Sequence, residues 1–298
     1  MEQKRVSVII PTYSRPNNIM RAVKSVLSQT YENIELIIVD DNGIGTPYQK
    51  ETEKLLSELI NKGEIKYIKH QTNKNGSAAR NTGFKASSGY YVNFLDDDDE
   101  FAPTKIAKQV AKLESEPTYD ACYCNTEVHG LKRVVYTKNL KDGNLCYDLL
   151  TGKTSFNTST ILFKRSALND INGWDERFLR HQDTEILVRF YRNHTICGAN
   201  KEEYLLKQWA TPNVVTRNPK KSVEYRMFFL ETMKDDILKQ PCPRLVYRYN
   251  FENLCLTLLA RGESKLGVKY FFTIMKYGMP SMMCCLKLVY YLIINMRH

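Results

Sequence analysis

Tyr90-Tyr91-Val92-Asn93-Phe94-Leu95-Asp96-Asp97-Asp98-Asp99 runs from a short, mostly apolar segment straight into four carboxylates. Its first part, up to Leu95, has the length and the aromatic and β-branched content of a buried strand. Adjacent like charges repel and raise one another's pKa, so four aspartates in a row are costly to hold together. A divalent cation relieves that repulsion, and hard carboxylate oxygens suit Mg²⁺ or Mn²⁺. On an extended segment Asp96 and Asp98 point to the same side and can share one ion. Mg²⁺ commonly binds through one or two carboxylates plus substrate phosphates, which makes a diphosphate an economical second ligand. A solvated acidic turn is the alternative; the position directly after a buried strand and before a helix favours the metal.

Upstream, the same pattern recurs. Val6-Ser7-Val8-Ile9-Ile10 reads as a buried strand stopped by Pro11. Ser14-Arg15-Pro16 opens a helix, with Ile19, Ala22, Val23, Val26 and Leu27 on one face. Ile34 to Val39 is a second strand ending in Asp40-Asp41-Asn42-Gly43. A polar helix over about 49–61, a strand at 65–68 and a short helix near 78–86 complete the run. This alternation builds a mostly parallel α/β sheet covered by helices. Ligands of such sheets sit beyond the carboxyl ends of the strands, where Thr12-Tyr13, Asp40-Asp41 and Asp96–Asp99 fall. Topology and carboxylates together point to an enzyme.

The 298 residues carry a formal charge of +10, distributed unevenly. Residues 1–200 hold 27 basic and 25 acidic side chains, and residues 201–298 hold 16 and 8. A near-neutral first part argues against a nucleic-acid groove. Eight cysteines without a CxxC pair indicate neither a zinc site nor a disulfide framework. The amino terminus, where a short apolar run meets Pro11, does not read as a signal peptide, so a reducing cytosol is expected.

Quoted in order, the motifs resemble a known family. They are Val6 to Tyr13, Ser25-Val26-Leu27-Ser28-Gln29-Thr30-Tyr31, Glu35 to Asp41, Asn75-Gly76-Ser77-Ala78-Ala79-Arg80-Asn81 and Phe94 to Asp99. Gly173-Trp174-Asp175-Glu176-Arg177-Phe178 follows, with Gln182-Asp183 and Arg189. As an ordered set over roughly residues 5–193 they resemble the inverting glycosyltransferases of family 2, which make bacterial surface polysaccharides. The resemblance implies the GT-A (Rossmann-like) fold, a nucleotide-sugar donor carried on UDP, a saccharide or lipid-linked saccharide acceptor, and Mn²⁺ or Mg²⁺. It assigns Thr12, Tyr13 and Asp41 to the nucleotide base with Asp40 beside them. Pro11, Arg15, Asn75, Gly76 and Asp97 join the nucleotide site, and Arg80 faces the diphosphate. Asp98 and Asp96 match the metal-binding DxD pair, with Asp96 also near the ribose. Asp183 matches the general base, preceded here by Gln182 where the family usually has Glu. Trp174, Asp175 and Gln182 fall to the acceptor. A sugar-nucleotide pyrophosphorylase would share the sheet-and-carboxylate logic, but Pro11-Thr12-Tyr13-Ser14-Arg15 is not its glycine-rich phosphate loop. A non-catalytic basic protein binding lipid or nucleic acid is the remaining alternative.

The expected organisation is a catalytic domain over 1–222, its nucleotide half about 1–100 and its acceptor half about 101–222, followed by a helical extension over 223–298. Residues 211–221 and 240–243 read as linkers. No acidic residue follows Glu263, while Lys265, Lys269, Lys276, Lys287 and Arg297 alternate with Met, Phe and Tyr. The apolar runs between them fall short of the ~20 residues that span a bilayer. Such a mixture suits a helix lying in a membrane interface, and so a peripheral position on the inner face of the cell membrane. A helical cap or a dimer surface is the alternative. His70, His129 and His194 are read as structural, His181 as adjacent to the base, and Glu185 as solvated.

Overall fold

The computed structural model describes residues 3–130, 133–209 and 218–295. The linker expected at 211–221 lies largely outside them, as does Arg297. The chain divides into two compact units, Met1–Leu145 with Phe156–Pro212, and Cys146–Ser155 with Asn213–His298.

In chain order the elements begin with β1 (Val6–Thr12), α1 (Pro16–Leu27), β2 (Ile34–Asp40), α2 (Pro47–Asn61), β3 (Lys66–Lys69), α3 (Gly76–Ala86) and β4 (Tyr91–Phe94). They continue with β5 (Asp99–Phe101), α4 (Lys105–Ser115), β6 (Ala121–Tyr123), β7 (Asn125–His129) and β8 (Val134–Thr137). After α5 (Cys146–Leu150), which belongs to the second unit, come β9 (Ile161–Lys164), α6 (Arg165–Asp170), α7 (Gln182–Phe190), β10 (Ile196–Gly198) and β11 (Tyr204–Trp209).

Seven strands form one sheet in the order β10-β6-β9-β4-β1-β2-β3. Every pairing is parallel except those of β9, which runs antiparallel to β4 and β6. A second sheet orders β5-β11-β7-β8. β1 is apolar throughout because both its faces are covered. Val6, Val8 and Ile10 share a buried cluster with Ile19, Val23 and Val26 of α1. On the other face α3 comes so close that a Cβ on Gly83 would sit 2.3 Å from Ile9 Cγ2.

Pro11 does not stop β1, contrary to the sequence reading. The strand continues to Thr12, pairing with β2 through Pro11 opposite Val39 and Thr12 opposite Asp40. The ladder with β4 ends at Ile9 opposite Phe94. Pro11 has the same parity as Ile9, so its missing N–H falls where no strand needs a donor. The parallel strands β1, β2 and β4 thus end on one edge, which carries Thr12, Asp41 and the aspartate run.

Lys105, the first residue of α4, is wholly buried over the Phe101 ring, 4.0 Å from its centroid. Its ammonium donates to Gln109 Oε1 at 2.8 Å. Burial pushes its pKa down to about 8. A lysine depressed in the fold weakens stability below that value and ceases to do so as pH rises toward its unfolded pKa of about 10.4. Lys105→Met is therefore expected to raise the unfolding free energy at pH 7 by about 1–3 kcal/mol, at ~1.4 kcal/mol per pKa unit less one hydrogen bond, and with it the urea midpoint. The gain should shrink at pH 10; a destabilised variant at pH 7 would overturn the argument.

The second unit is helical: α8 (Pro219–Thr232), α9 (Lys234–Leu238), α10 (Pro243–Leu259), α11 (Ser264–Ile274) and α12 (Met282–Asn295) join α5. α10 is its centre, burying Val246, Phe251, Leu254, Cys255, Leu258 and Leu259. Segment 146–155 belongs here because it packs on α10. Asn250 donates to the Leu150 carbonyl at 3.3 Å, and Gly152 leaves room for the Tyr249 ring, which a Cβ would meet at 1.9 Å.

Candidate active site

A polar cleft of about 770 Å³ opens at the carboxyl edge of the parallel strands in the first unit. Pro11, Thr12, Tyr13, Arg15, Asp41, Asn75, Gly76, Arg80, Asp96, Asp97, Asp98, Gln182 and Asp183 all line it. Residues far apart in sequence therefore meet where the alternation placed the ligand.

The aspartate run is a turn here and not an extended strand, closed by Asp99 N–H donating to the Asp96 carbonyl at 3.0 Å. The four carboxylates consequently separate. Asp96 receives Arg80 Nη2 at 2.6 Å. Asp97, which is buried, accepts Thr12 Oγ1 at 2.8 Å and stands 3.4 Å from Arg15 Nη1. Arg15 also pairs with Asp98, whose carbonyl accepts Arg21 Nη2 at 2.7 Å. Asp99 turns to Gln208 Nε2 at 3.3 Å. Desolvation and the neighbouring carboxylates raise the pKa of Asp98 and Asp99, and burial brings Asp97 to about 7. The Arg15 guanidinium is thus shared between Asp97 and Asp98.

Arg80 is the hub. It lies buried on α3 over the Trp174 ring, 5.5 Å from its centroid, and reaches Gln182 Oε1 at 3.2 Å as well as Asp96. Gly76, one turn earlier, leaves it space: a Cβ there would stand 3.0 Å from Arg80 Nη1. Asn75 caps α3 from the left-handed region, φ +98°, accepting the N–H groups of Ser77 and Ala78 at 2.9 and 3.2 Å. Asp183, in the first turn of α7, accepts a short hydrogen bond from Thr158 Oγ1. Desolvation raises its pKa; Arg80 and Thr158 pull it down and Asp96 pushes it up.

Asp41 lines the cleft, yet its carboxylate is taken up by the protein. Oδ1 is 2.6 Å from His70 Nδ1 and accepts Lys74 N–H at 2.8 Å. Oδ2 accepts Asn73 Nδ2 at 2.8 Å and Asn75 N–H at 2.9 Å. A carboxylate offers about four acceptor positions, so Asp41 organises the loop before α3 instead of presenting a free oxygen to a base. His70 reaches on to Thr82 Oγ1 at 2.8 Å. The ring beside this loop that remains available for stacking is Tyr13, 52% exposed.

Four sequence assignments are corrected. Asp40 does not line the cleft: it is fully buried, bonded to the Tyr67 hydroxyl and to Asn42 N–H at 2.9 Å. Trp174 lies one layer below, packed on Phe94 at 4.8 Å, and Asp175 is bound to Arg177 at 2.6 Å, so of the acceptor group only Gln182 lines the cleft. Glu185 is buried against Arg189 and not solvated. The sequence reading also missed Arg21, Asn157, Gln208 and Trp209. The last lies under the Arg21 guanidinium at 4.9 Å and stacks on His129 at 4.4 Å. Arg21 comes from α1, and the other three come from β11 and the turn before β9, which carry no motif; a lone Trp ending a short strand is the one signal they offered.

With this geometry in place, comparison with known proteins decides the family. The pattern described as glycosyl transferase family 2 matches residues 7–171. The chain belongs to glycosyltransferase family 2. Among this family's members it is 30% identical over 292 residues to the amylovoran biosynthesis glycosyltransferase AmsB of Erwinia amylovora, covering 91% of this chain and 92% of AmsB. It is 25% identical over 255 residues to WfgD of Escherichia coli, a UDP-Glc:alpha-D-GlcNAc-diphosphoundecaprenol beta-1,3-glucosyltransferase, covering 84% and 93%. The structure of S. aureus TarS residues 1–349 in complex with UDP-GlcNAc superposes with a TM-score of 0.67 at 17% identity, over 92% of this chain and 81% of that one. That likeness shows the fold, GT-A, as the motifs implied. The chain spans 43% of a longer TarS.

Proposed function

We propose that this glycosyltransferase moves a sugar from a UDP-sugar to a hydroxyl of a saccharide or lipid-linked saccharide during bacterial polysaccharide assembly, inverting the anomeric carbon in one displacement. The observation that carries the reading is Arg80 and Asp183 in one cleft, a fixed cation beside a carboxylate raised above its ordinary pKa. The AmsB and WfgD names support polysaccharide and lipid-linked acceptors, and the TarS complex supports a UDP carrier.

Asp96 and Asp98 fit a divalent cation in donor type and in crowding, since the nearby Asp96 charge helps to raise the Asp98 pKa. Among the described residues no group of three His, Cys, Asp or Glu side chains could form a cage. Two carboxylates completed by donor phosphates are what these residues offer Mn²⁺ or Mg²⁺. Such an ion, when bound, neutralises charge on the leaving diphosphate.

The chain's own groups do the rest. Arg80 and Arg15 are paired with Asp96 and Asp98. A bound diphosphate gives both guanidiniums a bidentate oxyanion partner. Tyr13 stacks on the base, and Trp209 offers an apolar face to a sugar ring. Asp183 accepts the proton of the attacking hydroxyl as the anomeric carbon–oxygen bond to the diphosphate breaks on the opposite face. A lipid-linked acceptor puts this reaction at the inner face of the cell membrane, with the protein attached peripherally.

The test is donor hydrolysis by purified protein with Mn²⁺ across UDP-, GDP- and dTDP-sugars, with Asp98→Ala alongside. Release of UDP alone, lost in Asp98→Ala, is expected. No release from any donor, together with no metal-dependent UDP binding by calorimetry, would overturn the reading.

A further inference from the structure

α12 turns its apolar face outward. Met282, Met283, Leu286, Val289, Tyr290 and Ile293 recur at helical spacing, and each is 50–79% exposed. Cys284 on the opposite side is 1% exposed, and Ser281, which caps the helix, is anchored to Glu252 of α10 at 2.7 and 2.9 Å. The helix is therefore seated with a continuous apolar stripe facing solvent. Phe272, Met275 and Met279 continue the exposed apolar surface beside it. A patch of this kind marks an interaction surface.

Charge selects the occupant. Every charged side chain after Glu263 is basic, including Lys265, Lys269, Lys276 and Lys287. A second copy docking on the same stripe would bring like charges together, whereas an anionic lipid surface complements them. α12 has 14 residues, about 21 Å at 1.5 Å per residue, short of the ~30 Å hydrocarbon core. Among the described residues no helix is long and apolar enough to cross a membrane. We infer that the outward stripe of α12 lies in the interface of an anionic bilayer, Met, Leu and Ile side chains entering the acyl boundary and the lysines meeting phosphate headgroups. This extends the peripheral placement proposed above but rests on the surface of the second unit alone.

Sedimentation with vesicles of phosphatidylcholine containing about one third phosphatidylglycerol tests it. Substitution is preferable to truncation, because removing α12 would uncover Cys255 and Glu252 on α10. The parent chain should pellet with anionic vesicles, at least tenfold less with pure phosphatidylcholine, and at least tenfold less as Leu286→Ser/Tyr290→Ser/Ile293→Ser. Circular dichroism and UDP binding of that variant should stay at parent values, and a failure confined to UDP binding or donor hydrolysis would count against the cleft reading only. Equal pelleting of parent and variant would overturn the inference. So would a parent that ignores vesicles and elutes as a dimer which the variant dissociates; the occupant would then be a second copy.

Discussion

Asp183→Asn is expected to lower kcat by about 10²–10⁴-fold while UDP binding changes less than about twofold, because the amide keeps the shape of the side chain but cannot accept the acceptor's proton. Thr158 still has an oxygen to donate to, and Arg80 keeps its bonds to Asp96 and Gln182, so the fold around α7 is retained. The pH profile separates a base from a helix cap. Desolvation raises the Asp183 pKa, so the acid limb of kcat/KM should lie above the ordinary aspartate value of about 3.9. Activity appears as pH rises through that limb, since the working form is ionised. Steady-state kinetics with measured acceptor turnover, and calorimetry for UDP, check both statements. A variant with parental kcat would remove Asp183 from the chemistry; one that melts early and loses UDP binding in parallel would make it a structural cap.

Asp41→Asn is expected to cost more stability than any other single change in the cleft, about 3–5 kcal/mol, the range for removing one partner from a buried charged network. Each oxygen of Asp41 accepts one backbone N–H, from Lys74 on one side and Asn75 on the other. Whichever oxygen becomes an amide nitrogen then faces a backbone donor that cannot turn away. His70 can change tautomer, but a peptide N–H cannot. Urea unfolding should show a lower midpoint with an unchanged slope, and affinity for all nucleoside diphosphates should fall together as the loop before α3 loses its frame. The opposite pattern, parental stability with a loss confined to uridine nucleotides, would mean that Asp41 reads the base directly.

These two aspartates mark the limit of what motifs convey. Both were singled out by position, Asp183 opening an apolar helix and Asp41 closing a buried strand, and both line the cleft. Motif matching cannot count acceptor positions, and Asp41 proves to have none to spare. Asp40, one residue earlier, illustrates the period-2 rule: neighbours on an extended chain face opposite ways, so one aspartate enters the cleft and the other goes under the sheet to Tyr67. Trp174 stands in the right loop but serves as the floor beneath Arg80.

The sequence by itself determined the alternation of strands and helices, the parallel sheet, the edge where the ligand belongs, the family, and the identity of most residues on that edge. These are local properties: apolar runs without a polar face, proline at a helix start, carboxylates directly after a strand. Tertiary structure alone decided how the four aspartates divide among Arg80, Arg15, Thr12 and Gln208, because partners 16 to more than 100 residues away compete for them. It also decided that β1 continues through Pro11, since β4 stops short, and that β11 and β7 bring Trp209 and Val128 to the cleft. Lastly, it decided which face of α12 points outward. A helix apolar on several sides does not say which side is covered, and only its anchor on α10 through Ser281 and Glu252 settles the rotation.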